Sequence, residues 1–261
     1  MSRRALSLAL AGALAWTAGC GAPPTRSSVP GDGAAERSRA TDVRWEVIGF
    51  SREERPIRAL TLGAEGPRIT LITGIHGDEQ EGLRHLDEVL DVLAAHPVQA
   101  RVIEDVNPDG TAANTRTTST GVDPNRNWPA SNYSPAPRRG PAPLSEPGVA
   151  ATHADLVEFD PQLVVVLHST SRGPFVNYDG PADGFARRFA VAAGDPWRVE
   201  ASMGYPTPGS LGTWYGVDRN LPILTIEFDR GCPPEESGLA LLRGLEAILR
   251  DGPAQEAGRI D

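Results

Sequence analysis

The chain has 261 residues, and its 25 Lys and Arg against 34 Asp and Glu leave a formal net charge of -9 at pH 7. Phosphate-binding surfaces need clustered Lys and Arg; here the basic residues are all Arg and scattered, apart from pairs such as Arg138-Arg139 and Arg187-Arg188, so a nucleic-acid partner is excluded. Pro and Gly are plentiful, which predicts long irregular loops.

Residues 1–19 read as a targeting segment. Arg3 and Arg4 precede an apolar run over 5–15 that is too short to span a bilayer and has the length of a signal-peptide core. Thr17-Ala18-Gly19-Cys20 resembles a bacterial lipoprotein signal, in which cleavage after Gly19 leaves Cys20 as the lipidated terminus; cleavage after Ala15 is the alternative. Either route implies export, and the first implies a lipid anchor facing the periplasm or cell exterior. Residues 20–41, rich in Gly, Pro, Ser, Arg and Ala, cannot bury a core and read as a flexible linker. With Cys20 lipidated, Cys232 has no intramolecular partner, so the fold must stand on packing and metal.

Residues 42–261 suit a single α/β domain. Strands are expected over 43–49, 57–62, 68–73, 99–106, 162–168 and 222–228. Helices are expected over 81–95, where Leu83, Leu86, Val89, Leu90 and Leu93 fall at helical spacing, and over 145–159, 184–193 and 236–250. This alternation predicts a mixed, mostly parallel sheet with helices on both faces. Between 107 and 143 lies a long segment without periodicity, of a length that usually carries function.

The most informative stretch is G-I-H-G-D-E over 74–79, which places His76 and Glu79 three residues apart on a glycine-flanked turn after the apolar run RITLIT. A second apolar run, QLVVVL over 162–167, ends in His168. Open α/β sheets place their chemistry at such strand ends. Imidazole nitrogen and carboxylate oxygen are zinc ligands, and a catalytic zinc takes three protein ligands, so His76, Glu79 and His168 are the candidates for one zinc per chain. His85, His96 and His153 lack such a setting and read as ordinary surface or partly buried residues. The strand LPILTIEF holds Glu227 among apolar neighbours; it is either the partner of a buried Arg or a general base beside the metal. In the long segment, Asn107-Pro108-Asp109-Gly110 is a turn by composition and GVDPNRNW over 121–128, with Asn125 and Arg126, concentrates polar side chains beside an aromatic; Arg116 between them is suited to gripping a carboxylate or an oxyanion, the alternative being that Arg116 and Arg126 are surface charges on a loop. Ser169, Thr170 and Ser171 follow His168, but without a G-x-S-x-G elbow they do not make a serine hydrolase.

Together these motifs resemble the carboxypeptidase A-like zinc metallocarboxypeptidases, and among them the compact bacterial murein peptide amidase branch. The resemblance rests, in order, on His76 with Glu79, the N-P-D-G of 107–110, Arg116 with Asn125-Arg126, His168 in L-H-S and Glu227 in T-I-E-F, and it covers roughly residues 60–250. It implies a zinc carboxypeptidase-like fold, zinc held by His76, Glu79 and His168, and Glu227 as the base that activates water. It also implies that Arg116 stabilises the oxyanion and that Asn125 and Arg126 bind the substrate's free α-carboxylate. The family's phenolic contact falls to Tyr205, with Tyr215 the competitor.

The expected activity is hydrolysis of the C-terminal amide bond of short peptides, possibly cell-wall muropeptides of the γ-D-glutamyl-diaminopimelate type, with no protein partner. An N-acyl amino acid deacylase of the succinylglutamate desuccinylase or aspartoacylase type, and an inactive wall-binding lipoprotein, are the alternatives.

Overall fold

The computed structural model describes residues 44–251. The expected signal segment, the linker, Cys20 and the strand start at Val43 lie outside the described residues.

Eight strands form one sheet: β1 (Glu46–Phe50), β2 (Pro56–Leu62), β3 (Arg68–Ile72), β4 (Gln99–Ile103), β5 (Leu163–Thr170), β6 (Phe175–Asp179), β7 (Arg198–Glu200) and β8 (Ile223–Asp229). Their order is β1-β2-β4-β3-β5-β8-β6-β7. The centre, β4-β3-β5-β8, is parallel; β1-β2, β2-β4 and β8-β6 are antiparallel, and β7 rejoins β6 in parallel. Central parallel strands are covered on both faces, which is why RITLI and LVVVLH read as unbroken apolar runs rather than alternating ones.

Among the described residues, five α-helices flank the sheet: α1 (Leu86–Ala94), α2 (Pro108–Ala113), α3 (Pro147–Phe159), α4 (Asp183–Ala193) and α5 (Pro234–Asp251). On one face α1, α4 and α5 bury Val89, Phe185, Phe189, Leu241 and Leu245 against Leu71, Val165, Val176 and Ile226. On the other, Val149 and Leu156 of α3 pack with Trp128, Trp214, Val164, Val166 and Ile223. The first turn of the helix expected over 81–95 is the 3₁₀ turn Leu83–His85. Strand β4 stops at Ile103 rather than 106 because the chain after it turns to follow the β3 end, Val106 N–H and Asn107 N–H donating to Thr73 O and Gly74 O at 3.3 and 3.0 Å.

Four elements differ from expectation. Strand β6 carries Asn177 and Asp179 and β7 has three residues, so neither shows the apolar continuity of the centre. The segment expected to be irregular contains α2, and a π-helical turn occupies Gly212–Asp218.

Asp105, just beyond β4, packs under Gly74, whose φ of +67° and lack of a Cβ admit the carboxylate. Burial pushes the Asp105 carboxyl up to about 7, against the pull of the Asn107 amide that it accepts at 2.9 Å. An unfolded Asp titrates near ~4, so the folded chain holds the extra proton between the two values and loses stability as pH rises through that window. Asp105→Asn keeps an oxygen acceptor and removes the charge. At pH 8 it is expected to melt ~3 °C or more above wild type, with the gap closing near pH 4; calorimetry showing an equal gap at both values would dismiss burial as the cause.

Candidate metal centre

Three strand ends build the site. His76 and Glu79 lie on the turn after β3, closed by Glu79 N–H donating to His76 O at 3.1 Å. His168 lies near the end of β5 and is in register with Glu227 of β8, so the neighbouring strands place imidazole and carboxylate side by side. The turn is held by backbone contact with α2: a Cβ on Gly77 would lie 1.9 Å from Gly110 C. This explains the N-P-D-G motif. Asn107 caps α2 by accepting Gly110 N–H at 3.1 Å, and Pro108 occupies the first turn, where a missing N–H costs nothing. Asp109 faces away from the metal side chains and accepts from Ser51 Oγ at 2.6 Å and Arg55 Nη1 at 2.7 Å, tying α2 to the chain between β1 and β2.

His76 Nδ1 lies 3.0 Å from Glu79 Oε1, His168 Nδ1 lies 2.7 Å from Glu79 Oε2, and the two rings are 4.7 Å apart. One ligand atom from each residue falls within 4.8 Å of the others. All three residues are buried, and His76 Nδ1 makes no hydrogen bond of its own. An orphaned imidazole nitrogen beside a carboxylate and a second imidazole is a fitting donor set for a divalent ion bound at ~2 Å. Burial opposes ionisation of Glu79, yet the two histidines hold its carboxyl far below the usual range.

Asp123, which the sequence reading passed over, completes the arrangement. Its Oδ1 lies 2.9 Å from His76 Nε2, the ring nitrogen that points away from the cluster, and this fixes ring orientation and tautomer. The signal was available, because a ligand histidine needs an acceptor for its other nitrogen and Asp123 stands two residues before Asn125. Arg230, at the end of β8, was also missed; its Nη2 donates to Glu79 Oε1 and its Nη1 pairs with Asp78 Oδ2, both at 3.2 Å.

Arg116 donates from Nη1 to Glu79 Oε1 at 2.7 Å and from Nε to Asp123 Oδ2 at 3.1 Å. Asn125 accepts Leu211 N–H at 3.0 Å and sets its Nδ2 3.4 Å from His168 Nε2. A single cleft is lined by the three ligand candidates together with Arg116, Asn125, Arg126, Tyr205 and Glu227. Burial, reinforced by the Glu79 charge, raises the Glu227 carboxyl above its ordinary value. Tyr205 stands half exposed on the cleft wall, whereas Tyr215 is sealed in the core with its hydroxyl on Pro161 O, which removes it from the site. His85 is buried against Ser237 Oγ at 3.0 Å, His96 bonds Val92 O at 2.8 Å, and His153 packs on Trp214 at 4.5 Å; none of them faces the cleft.

Fold and site define an α/β metallohydrolase with a two-histidine, one-carboxylate centre. Residues 34–195 match the zinc carboxypeptidase family, Peptidase_M14, and the chain belongs to that family. Murein peptide amidase A of Escherichia coli K12 is 32% identical over 202 residues, covering 70% of this chain and 79% of the relative. The Vibrio campbellii protein of the same name is 29% identical over 200 residues, covering 69% and 75%. Among solved structures, murein-tripeptide amidase MpaA from E. coli O157 superposes with a TM-score of 0.67 at 27% identity, covering 79% of this chain and 91% of that one. Carboxypeptidase A from Helicoverpa armigera gives a TM-score of 0.67 at 17% identity over 84% and 69%, a likeness of fold. The family's metal is zinc, and the donor set fits it.

Replacing Asp123 by Asn removes the charge behind His76 and keeps its shape. Zinc affinity, measured by competition with a chelator, is expected to fall 10–100-fold; wild-type affinity would show that Asp123 does not support the ligand.

Proposed function

We propose that this chain is an exported zinc exopeptidase that hydrolyses the C-terminal amide bond of short peptides, with cell-wall muropeptides of the γ-D-glutamyl-diaminopimelate type as its substrate class. The observation that carries the reading is that one cleft holds the His76–Glu79–His168 group, the buried Glu227 and the pair Asn125 and Arg126. The muropeptide is supported by the relatives' names, murein peptide amidase A and murein-tripeptide amidase.

His76, Glu79 and His168 would hold one zinc ion, which when bound supplies a Lewis acid and lowers the pKa of water. Glu227, beside His168 on the adjacent strand, takes the proton of the attacking water at its carboxylate and passes it to the leaving amine. Its raised pKa suits both halves of that transfer. Arg126 offers the planar fork that grips a free α-carboxylate, with Asn125 Nδ2 alongside, so the site demands a chain end. Arg116 already engages two carboxylates through Nε and Nη1, which leaves Nη2 to meet the negative charge that develops on the scissile oxygen. Tyr205, on the cleft wall, offers its phenol as a contact to the terminal residue.

Export and a lipid anchor are part of the proposal and rest on the sequence of residues 1–20: a short apolar core after two arginines, ending in Ala-Gly-Cys. Labelling cells with a palmitate analogue is expected to mark the wild type and not Cys20→Ala, and an unlabelled wild type would remove the anchor.

Glu227→Gln is expected to retain one zinc per chain and lose hydrolysis of γ-D-glutamyl-diaminopimelate by a factor on the order of 10²–10⁴. Metal analysis and product chromatography read the two results, and unchanged turnover would take Glu227 out of the reaction. Dipeptides and N-acyl amino acids assayed in parallel separate peptidase from deacylase; turnover of the acylated amino acids alone would overturn the peptidase.

A further inference from the structure

Of the arginines beside the metal centre, Arg126 and Arg116 have tasks in the proposed reaction, and Arg230 has none. Its backbone is fixed where β5 and β8 end, Arg230 N–H donating to Thr170 O at 2.9 Å. Its guanidinium is held by two carboxylates, Nη2 donating to Glu79 Oε1 and Nη1 pairing with Asp78 Oδ2, both at 3.2 Å. Arg116 serves the same Glu79 oxygen at 2.7 Å, and His76 and His168 flank that carboxylate, so its charge is met without the whole fork of Arg230. The contacts of Arg230 leave most of its N–H groups unused; among the described residues these meet no acceptor, and the side chain is 39% exposed.

Its place along β8 sets it apart from the terminal-residue side of the cleft. The wall there runs from Glu227 back to Thr225, with Asn177 of β6 beside Thr225. Arg230 stands three residues past Glu227 in the other direction, ~10 Å along the strand. A peptide whose last residue points toward Thr225, with its scissile carbonyl at the metal side chains, therefore sends its penultimate residue toward Arg230. Arg172 is engaged elsewhere, over the rings of Phe175 and Tyr205 at 5.6 and 5.9 Å.

In a γ-linked glutamyl residue the scissile carbonyl ends the side chain, and the α-carboxylate stays free about 5 Å away when the residue is extended. In an α-linked residue that carboxyl is the scissile carbonyl itself. Arg230 lies within this reach of the metal side chains, since its Nη2 touches Glu79 Oε1. We infer that Arg230 grips the free α-carboxylate of a γ-glutamyl residue on the penultimate side of the scissile bond, so that chains in which this carboxyl is amidated are rejected. This rests on the exopeptidase reading above and sets its preference on the side away from the chain end.

The zinc-loaded full chain is assayed on γ-D-glutamyl-diaminopimelate, on D-isoglutaminyl-diaminopimelate, which carries the α-carboxamide, and on 4-aminobutyryl-diaminopimelate, which lacks the group. The wild type is expected to favour the carboxylate over the other two by ~tenfold or more in kcat/KM, because a charge-assisted bidentate contact is lost with the charge. Arg230→Gln is expected to shrink that preference to below ~twofold, chiefly through KM. Arg230→Lys keeps a charge beside Asp78 and Glu79 without the planar fork, and its preference is expected to fall between the two. A wild type indifferent to amidation overturns the assignment. So does an Arg230→Gln chain that slows all three substrates alike, with or without a loss of zinc, the mark of a residue that only supports Glu79. Calorimetric titration of the Glu227→Gln chain with the same dipeptides reads the preference without turnover: binding of the carboxylate tighter by ~tenfold supports Arg230, and equal affinities overturn it. If the wild type cleaves no dipeptide, the exopeptidase reading fails, and the titration still decides whether Arg230 binds the carboxylate.

Discussion

The site is organised by one buried carboxylate. Glu79 Oε1 meets His76 Nδ1, Arg116 Nη1 and Arg230 Nη2, while Oε2 meets His168 Nδ1 and the Ser169 N–H at 3.2 Å. A charge so placed is tolerable only when its donors arrive from every side. They come from the long loop before α3, the end of β5 and the residue after β8, while the β3 turn sets the His76 ring alongside. Each of those segments must therefore end where it does, and the sheet order that brings β3, β5 and β8 together as neighbours is what allows it.

The two kinds of strand divide the work. The parallel strands β3, β5 and β8 end together and present His76, His168 and Glu227 at one rim, where electrostatic demands are strictest. Strand β6 runs the other way, and its alternate residues carry the cleft wall from that rim down toward the first residues of β8.

The centre of the sheet was legible because burial on both faces writes itself as continuous Val, Ile and Leu, and a histidine ending such a run has few bland explanations. His76, Glu79, His168 and Glu227 could be read for that reason, and the cleft gathers them with Arg116, Asn125, Arg126 and Tyr205. Strands β6 and β7 were not legible, since Asn177 and Asp179 serve the cleft and β7 is three residues long. Helix α2 was hidden by its own cap: Asn-Pro-Asp-Gly has turn composition, and only the tertiary contact with Gly77 reveals a helix start. Asp109 shows the limit in the opposite sense, as an acidic residue within a motif that works as a tether to Ser51 and Arg55.

The contact between Gly77 and Gly110 makes the metal turn a fulcrum. Bare backbone rests on bare backbone there, so any bulk added at residue 77 drives the first turn of α2 outward as a rigid lever. Because Asp109 rides on that lever, the displacement would pull on Ser51 and Arg55 at the far edge of the sheet. Strain introduced at the metal would then surface first as fraying of the β1–β2 hairpin, well away from the reacting atoms.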